Sequence, residues 1–262
     1  MKVEDVYALL EKEVAPVSLS DEFCSKHKMY DNSGIIINCG LQVTGVLFTL
    51  DLTQEAVAQA KALGFNLIVT HHPAIYGGIS SFDLTDNPQA KTLAECMNGG
   101  ISVISMHLNF DAAPQGIDYY LCKGLGGENA EIAAPLSNGG YGRVSSVATV
   151  ALKDFVKKVK KEFSAEKVIT YGEDYKKISR VASFCGAGCD DYNMDFAAKG
   201  GADVFVSSDM KHHEILALRQ RGIAVIVLTH YASENYGFEK IYLKIKDGFK
   251  VKSEYFTDTA LL

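Results

Sequence analysis

The sequence predicts an α/β fold built from two related halves, and three observations lead to it. Apolar runs of strand length alternate with amphipathic stretches of helical period along the chain. Two pairs of segments echo each other: Ala62 to His72 resembles Ala198 to Asp209, and Gly100 to His107 resembles Gly222 to His230. Each reads as a glycine after a helix end, then a buried strand, then a polar group, which is the trace of a duplicated βα unit. Histidines also recur just beyond strands, where open α/β sheets bind their ligands.

The elements follow in order. Residues 3–12 read as a helix, and 35–38 and 46–50 as strands. Asp51 and Thr53 offer oxygens to cap a helix running to about residue 63, where Gly64 stops it. Strand 66–70, helix 88–97, the Gly99-Gly100 break, strand 101–106 and a helix near 116–123 come next. The alternation restarts after Asn138-Gly139-Gly140-Tyr141-Gly142 with strand 144–150, helix 153–163 and strands 167–171 and 180–185. Helix 192–199, strand 203–207, helix 211–221, strand 223–228, a helix over about 232–244 and a last strand near 250–256 complete the chain. The break between Pro135 and Tyr141 divides it into expected domains 1–135 and 136–262.

Composition narrows the function classes. With 47% hydrophobic and 22% charged residues, the 262-residue chain has the make-up of a globular protein with a sizeable core. Its net charge of -6 argues against nucleic acid as a partner, because phosphate contacts need a basic face. The run Lys157-Lys158-Val159-Lys160-Lys161 reads as the solvated face of an amphipathic helix. Residues 1–10 lack the pattern of a signal peptide, and no stretch approaches the roughly 18 apolar residues that span a bilayer. Six scattered cysteines without a CxxC pair fit a reducing cytoplasm. Cys185 and Cys189 read as small buried residues.

The chemistry rests on the histidines. His71-His72, His107 and His230 each follow a different strand, and acids follow at matching distances: Asp111 four residues after His107, Glu234 four after His230. On a helix, His230 and Glu234 share one face and can meet one ion. Successive extended side chains diverge, so His71 and His72 suit two neighbouring ions better than one, and Pro73 favours an extended His72. His71, His72, His230, Asp111 and Glu234 form a ligand set for two divalent ions, Zn, Fe, Mn or Co rather than Mg or Ca. Five side chains need a bridge to serve two ions, and Glu234 is assigned to it. Such a pair, roughly 3.5–4 Å apart, activates water for hydrolysis.

Taken in order, the motifs resemble those of the Ngg-interacting-factor-three-like family, also labelled GTP cyclohydrolase I type 2 homologues. Tyr30-Asp31-Asn32-Ser33-Gly34 is similar to the family's Trp-Asp-Asn-x-Gly, and Thr70-His71-His72-Pro73 to its strand-end His-His-Pro. His107-Leu108-Asn109-Phe110-Asp111-Ala112, Gly140-Tyr141-Gly142-Arg143 and Thr229-His230-Tyr231-Ala232-Ser233-Glu234 match three further motifs. The resemblance implies two intertwined α/β repeats with mixed β-sheets and the metal site between them. It gives one ion His72, Asp111 and Glu234, and the other His71, His230 and Glu234. It also implies a ring-shaped homohexamer. The departures, Tyr30 for Trp, Leu108, Phe110, the run Gly34 to Gly40, and Asp118 for the common Asn, touch the pocket lining and leave the ligand types intact.

Other residues have competing readings. His107 is read as orienting Asp111 or as structural in preference to an acid/base role. Asp209 and His212 are candidates for substrate contact; Arg143 is one for phosphate, though a structural ion pair suits it better. His27 reads as surface, and Gly186-Ala187-Gly188 lacks the rest of a nucleotide loop. Two functions follow. One is a metal-dependent hydrolase of a small phosphorylated or nucleotide-like substrate, with water activated by the ions as nucleophile. The other is a metal-handling or regulatory binding protein without turnover.

Overall fold

Strands that are apolar at successive positions need cover on both faces, which parallel sheets obtain from flanking helices. The computed structural model, which describes residues 1–79 and 81–262, has this arrangement twice. Its elements in chain order are α1 (Val3–Glu13), α2 (Ser18–His27), β1 (Gly34–Ile37), β2 (Gly45–Thr49), α3 (Gln54–Leu63), β3 (Leu67–Thr70), α4 (Pro88–Asn98), β4 (Ser102–Ser105) and α5 (Leu108–Ala112). Then come α6 (Ile117–Gly124), β5 (Glu128–Pro135), β6 (Gly140–Ala151), α7 (Leu152–Glu162), β7 (Ile169–Tyr171), β8 (Lys177–Ser183) and α8 (Asp191–Lys199). Last are β9 (Val204–Ser207), α9 (His212–Gln220), β10 (Ala224–Val227), α10 (His230–Ile245) and β11 (Lys252–Phe256).

Two units share these elements: Met1–Phe110 with Phe238–Thr257, and Asp111–Gly237 with Asp258–Leu262. The first holds a sheet in the order β1-β4-β3-β2-β11, in which β1 alone runs antiparallel to its neighbour. Leu47, Ile68 and Val103 face a core with Val57, Ala60, Leu93 and Cys96 of α3 and α4. On the other face of β2, Phe48 packs against Phe238 and Tyr242 of α10 and against Phe249. Thr53 caps α3 by accepting from Ala56 N, and Gly64 closes it with a left-handed φ of 70°.

The second unit holds a sheet in the order β5-β6-β8-β9-β10-β7, parallel from β8 to β10 and antiparallel elsewhere. Its core sets Val144, Phe184, Phe205 and Val225 against Met194 and Leu218. The rings of Phe184 and Phe205 stack 5.0 Å apart. The echo read in the sequence reappears as topology: β4-β3-β2 and β10-β9-β8 are the same order of parallel strands, each with an antiparallel strand, β1 or β7, beside the one that comes last in the chain. The architecture is the mixed α/β fold with two mixed sheets that the sequence predicts.

Three elements are additional to the expectation: α2, the five-residue α5 that carries Asp111, and β5. Helix α2 buries only Leu19, Ser20 and Phe23, and it ends on Lys28 in a left-handed conformation instead of a glycine. Strand β5 is largely exposed and mixes charged with small residues. Pro135 and Gly140 pair across the turn of a β5–β6 hairpin within the second unit. Among the described residues, no helix is long and apolar enough to cross a membrane.

Candidate metal centre

In the first unit, parallel register brings the histidines to one sheet edge. Thr49 pairs with Thr70 and Thr70 with Ser105, so the residues that follow, Asp51, His71-His72 and His107, leave the sheet side by side. The bend after β3 is fastened from several directions. His71 N and His72 N donate to Leu50 O at 3.1 and 3.0 Å, Thr70 Oγ1 donates to His72 O at 2.8 Å, and Ala74 N donates to Ser105 Oγ at 3.0 Å. Because the chain bends here instead of continuing extended, the rings of His71 and His72 do not diverge as expected. Their centroids are 4.9 Å apart, and His107 lies 5.1 Å from His71 and 5.7 Å from His72. Ligand nitrogens of His71, His72 and His107 all lie within 4.8 Å of one another, so this group can hold a metal ion.

Each ring is fixed through its Nδ1. His71 Nδ1 donates to Met106 O at 2.9 Å, which leaves Nε2 as the ligand nitrogen of the neutral ring. His72 Nδ1 lies 2.7 Å from Asp51 Oδ1, and His107 Nδ1 lies 2.8 Å from Asp31 Oδ1. Since β1 runs antiparallel to β4 with Gly34 opposite Ser105, the residues before Gly34 reach the same edge, and Ser33 Oγ accepts from His107 N at 2.9 Å. Burial pushes the Asp31 carboxyl up, but hydrogen bonds from His107 and Ser33 outweigh it and hold it down at about 2. Asp31 is therefore ionised at neutral pH and pairs with His107 as a carboxylate.

The second unit repeats the arrangement. Strands β8, β9 and β10 end together, and past them come Cys185-Gly186, Ser208-Asp209 and His230. His230 Nδ1 is held by Asp209, which adopts a left-handed φ of 50°. His230 Nε2 meets Glu234 Oε2 at 3.0 Å, one helical turn along α10. Glu234 and Asp111 are buried carboxylates at 2% and 5% exposure. Between β8 and α10 the space is tight: a methyl group on Gly186 would lie 2.3 Å from Glu234 Oε1. Cys185 Sγ donates to Asp111 Oδ1 at 3.4 Å, and burial, reinforced by the charges of Asp111 and Glu234, keeps the thiol well above its ordinary range and protonated.

Of the residues read as ligands, His71 and His72 thus belong to the first unit and Asp111, His230 and Glu234 to the second. His107 sits with the two histidines, and Asp209, read as a substrate contact, is the partner of His230. Arg143 is buried on Asp118, whose carboxylate also accepts from Gly142 N at 3.0 Å and Cys185 N at 3.2 Å. His212 lies exposed at the start of α9. Asp31 and Asp51 were not among the sequence candidates. Asp31 stands in the Tyr30 to Gly34 motif, and Asp51, which the sequence offers as a helix cap, leaves that task to Thr53.

Two mixed sheets whose strand ends carry Nδ1-clamped histidines and buried carboxylates define an α/β protein with groups suited to metal binding. The chain belongs to the Duf34/NIF3 (NGG1p interacting factor 3) family, whose model matches residues 1–259. It is 28% identical to a Clostridium acetobutylicum protein named GTP cyclohydrolase 1 type 2 homolog, over 89% of this chain and 85% of the relative. It is 31% identical to NGG1-interacting factor 3 of Saccharomyces cerevisiae, over 83% of each chain. A crystal structure of a Staphylococcus aureus hypothetical protein superposes with a TM-score of 0.84 at 27% identity, covering 98% of this chain and 97% of that one.

Proposed function

We propose that this chain is a metal-dependent hydrolase of a small phosphorylated or nucleotide-like substrate. In this reading His72, Asp111 and Glu234 would hold one divalent ion, and His71, His230 and Glu234 would hold a second, with Glu234 common to both. The observation that carries it is the clamping of Nδ1 on His71, His72, His107 and His230, because a ring pinned at one nitrogen presents the other in a fixed direction. A donor set of imidazoles and carboxylates suits Zn, Fe, Mn or Co. Such ions would supply Lewis acidity toward a phosphoryl or carbonyl oxygen.

The chain's own residues supply the rest. Asp51 and Asp209 orient His72 and His230, and the Asp31 carboxylate holds His107 so that its Nε2 can take up and return a proton. The name GTP cyclohydrolase 1 type 2 homolog, carried by bacterial relatives, supports a nucleotide-like substrate. We further propose a homohexamer, which light scattering on the purified protein tests, and a cytoplasmic location, which cell fractionation tests.

The functional test is metal analysis of the protein as purified, followed by a screen of phosphoesters, cyclic amidines and GTP with and without chelator. Chelator-sensitive turnover that disappears in Glu234→Gln is the expected result. Bound, exchangeable metal without turnover on any member of the panel overturns the hydrolase and leaves a protein that handles or senses metal.

A further inference from the structure

Tyr30 and Tyr76 are 53% and 62% exposed, yet their rings meet edge to face, with centroids 5.9 Å apart and planes at 79°. Large aromatic rings usually gain by burial, so an exposed pair drawn from separate segments needs a reason. Both segments are anchored. Asn32 Nδ2 donates to Ile75 O at 2.7 Å, tying the residue two past Tyr30 to the residue before Tyr76. Tyr30 directly precedes Asp31, whose carboxylate holds His107. Tyr76 is four residues beyond His72, after the Pro73-Ala74 stretch fixed on Ser105. All of these residues lie in the first unit. The pair is therefore an exposed aromatic corner, bonded into the same network that orients the histidines.

We propose that Tyr30 and Tyr76 form a stacking corner for a planar heteroaromatic ring of the ligand, whose polar end is handled at His72 and His107. Perpendicular rings offer a π-face and an edge at right angles, to which a flat ring fits by stacking on one and meeting the edge of the other. An aliphatic ligand would gain little from this geometry. A purine or pterin ring gains the most, because every such ring has a π-face and stacking tolerates differences in its substituents. The inference rests on the reading of the histidine groups as a reaction site for its biological meaning, but the stacking itself does not need bound metal.

The chain has 13 tyrosines and no tryptophan, so Tyr30→Trp keeps an aromatic face and introduces a unique fluorophore. Guanosine 5′-monophosphate, free pterin and ribose 5-phosphate are titrated calorimetrically into wild type, Tyr30→Ala, Tyr76→Ala and Tyr30→Trp, each with Zn and after chelation. The two ring-bearing probes should bind wild type, weaken roughly tenfold in either alanine variant and recover in Tyr30→Trp with quenching of its fluorescence. Ribose 5-phosphate should be insensitive to all of these changes. Ring binding that persists with its tyrosine dependence in chelated protein upholds the corner even where the hydrolase reading fails. Failure of either ring to bind wild type, or equal weakening of ribose 5-phosphate, overturns it. So does unchanged ring affinity in alanine variants whose oligomer falls apart in light scattering, which would make the corner a contact between copies of the chain.

Discussion

Asp51 Oδ1 sits 2.7 Å from His72 Nδ1 because sheet register puts it there: Thr49 pairs with Thr70 across β2 and β3, and each of the two residues lies two positions further on. The contact fixes which nitrogen of His72 carries the proton and where the other points. Replacing such a carboxylate usually costs 10–100-fold in metal affinity. We expect Asp51→Asn to weaken Zn or Co binding by about that factor, read in competition with a chromophoric chelator, with little change in thermal midpoint. Unaltered affinity would mean that His72 does not depend on Asp51 for its orientation.

Gly186 occupies a left-handed conformation, φ 58°, and donates its N–H to Ser233 Oγ at 3.0 Å. Alanine there meets Glu234 Oε1 as well as the backbone cost of roughly 1–2 kcal/mol. Gly222 is the control, since it has a φ of 77° and open space around an added methyl. Gly186→Ala should lose metal on gel filtration in the presence of a weak chelator, whereas Gly222→Ala should lose comparable stability and keep its metal. Equal metal content in both variants would show that Glu234 can move aside freely.

What was legible in the sequence was whatever depends on neighbours along the chain. Runs such as Leu67–Thr70 and Val204–Ser207 are apolar and short, and glycine closes the helix before each, so the strands stood out, and with them His71-His72 past the first and Asp209 past the second. Asp31 and Asp51 were missed because their partners lie 76 and 21 residues away and are set by which strands pair and in what register. Asp51 also stands two residues before Thr53, where a helix cap was the local explanation. The mutual placement of His71 and His72 depended on a bend held by Leu50 and Ser105, which alternation along a strand does not encode. Helix α2 escaped notice because its buried face is only Leu19, Ser20 and Phe23, too little for a periodic pattern.

Asp31 ties stability to acid pH. Its carboxyl ionises at about 2 in the folded chain against an ordinary 3.8. A carboxyl lowered by folding stabilises fully above its unfolded value, and that contribution fades as pH falls through the folded one. The stabilisation, on the order of 2 kcal/mol, is therefore complete above roughly pH 4 and lost toward pH 2. Urea midpoints of wild type and Asp31→Asn should differ near neutrality and converge between pH 4 and 2. Parallel curves would remove Asp31 as the source.

Asp118 and Arg143 are 0% and 3% exposed, and the ion pair they form also gathers Gly142 N and Cys185 N around one carboxylate. That carboxylate thus joins α6, β6 and the end of β8, the turn that places Gly186 against Glu234. Removing Arg143 would leave a buried charge compensated only by backbone N–H groups, a change that typically costs about 3–5 kcal/mol. For a chain of this size that corresponds to a drop in thermal midpoint of roughly 10 °C. Lysine lacks the planar fork of donors, so Arg143→Lys should recover only part of the loss. The double variant Asp118→Asn, Arg143→Met removes both charges and should be more stable than Arg143→Met alone. Calorimetry on the set of variants decides it. A double variant less stable than Arg143→Met would show that the Asp118 carboxylate stabilises the turn even without its guanidinium, through Gly142 and Cys185.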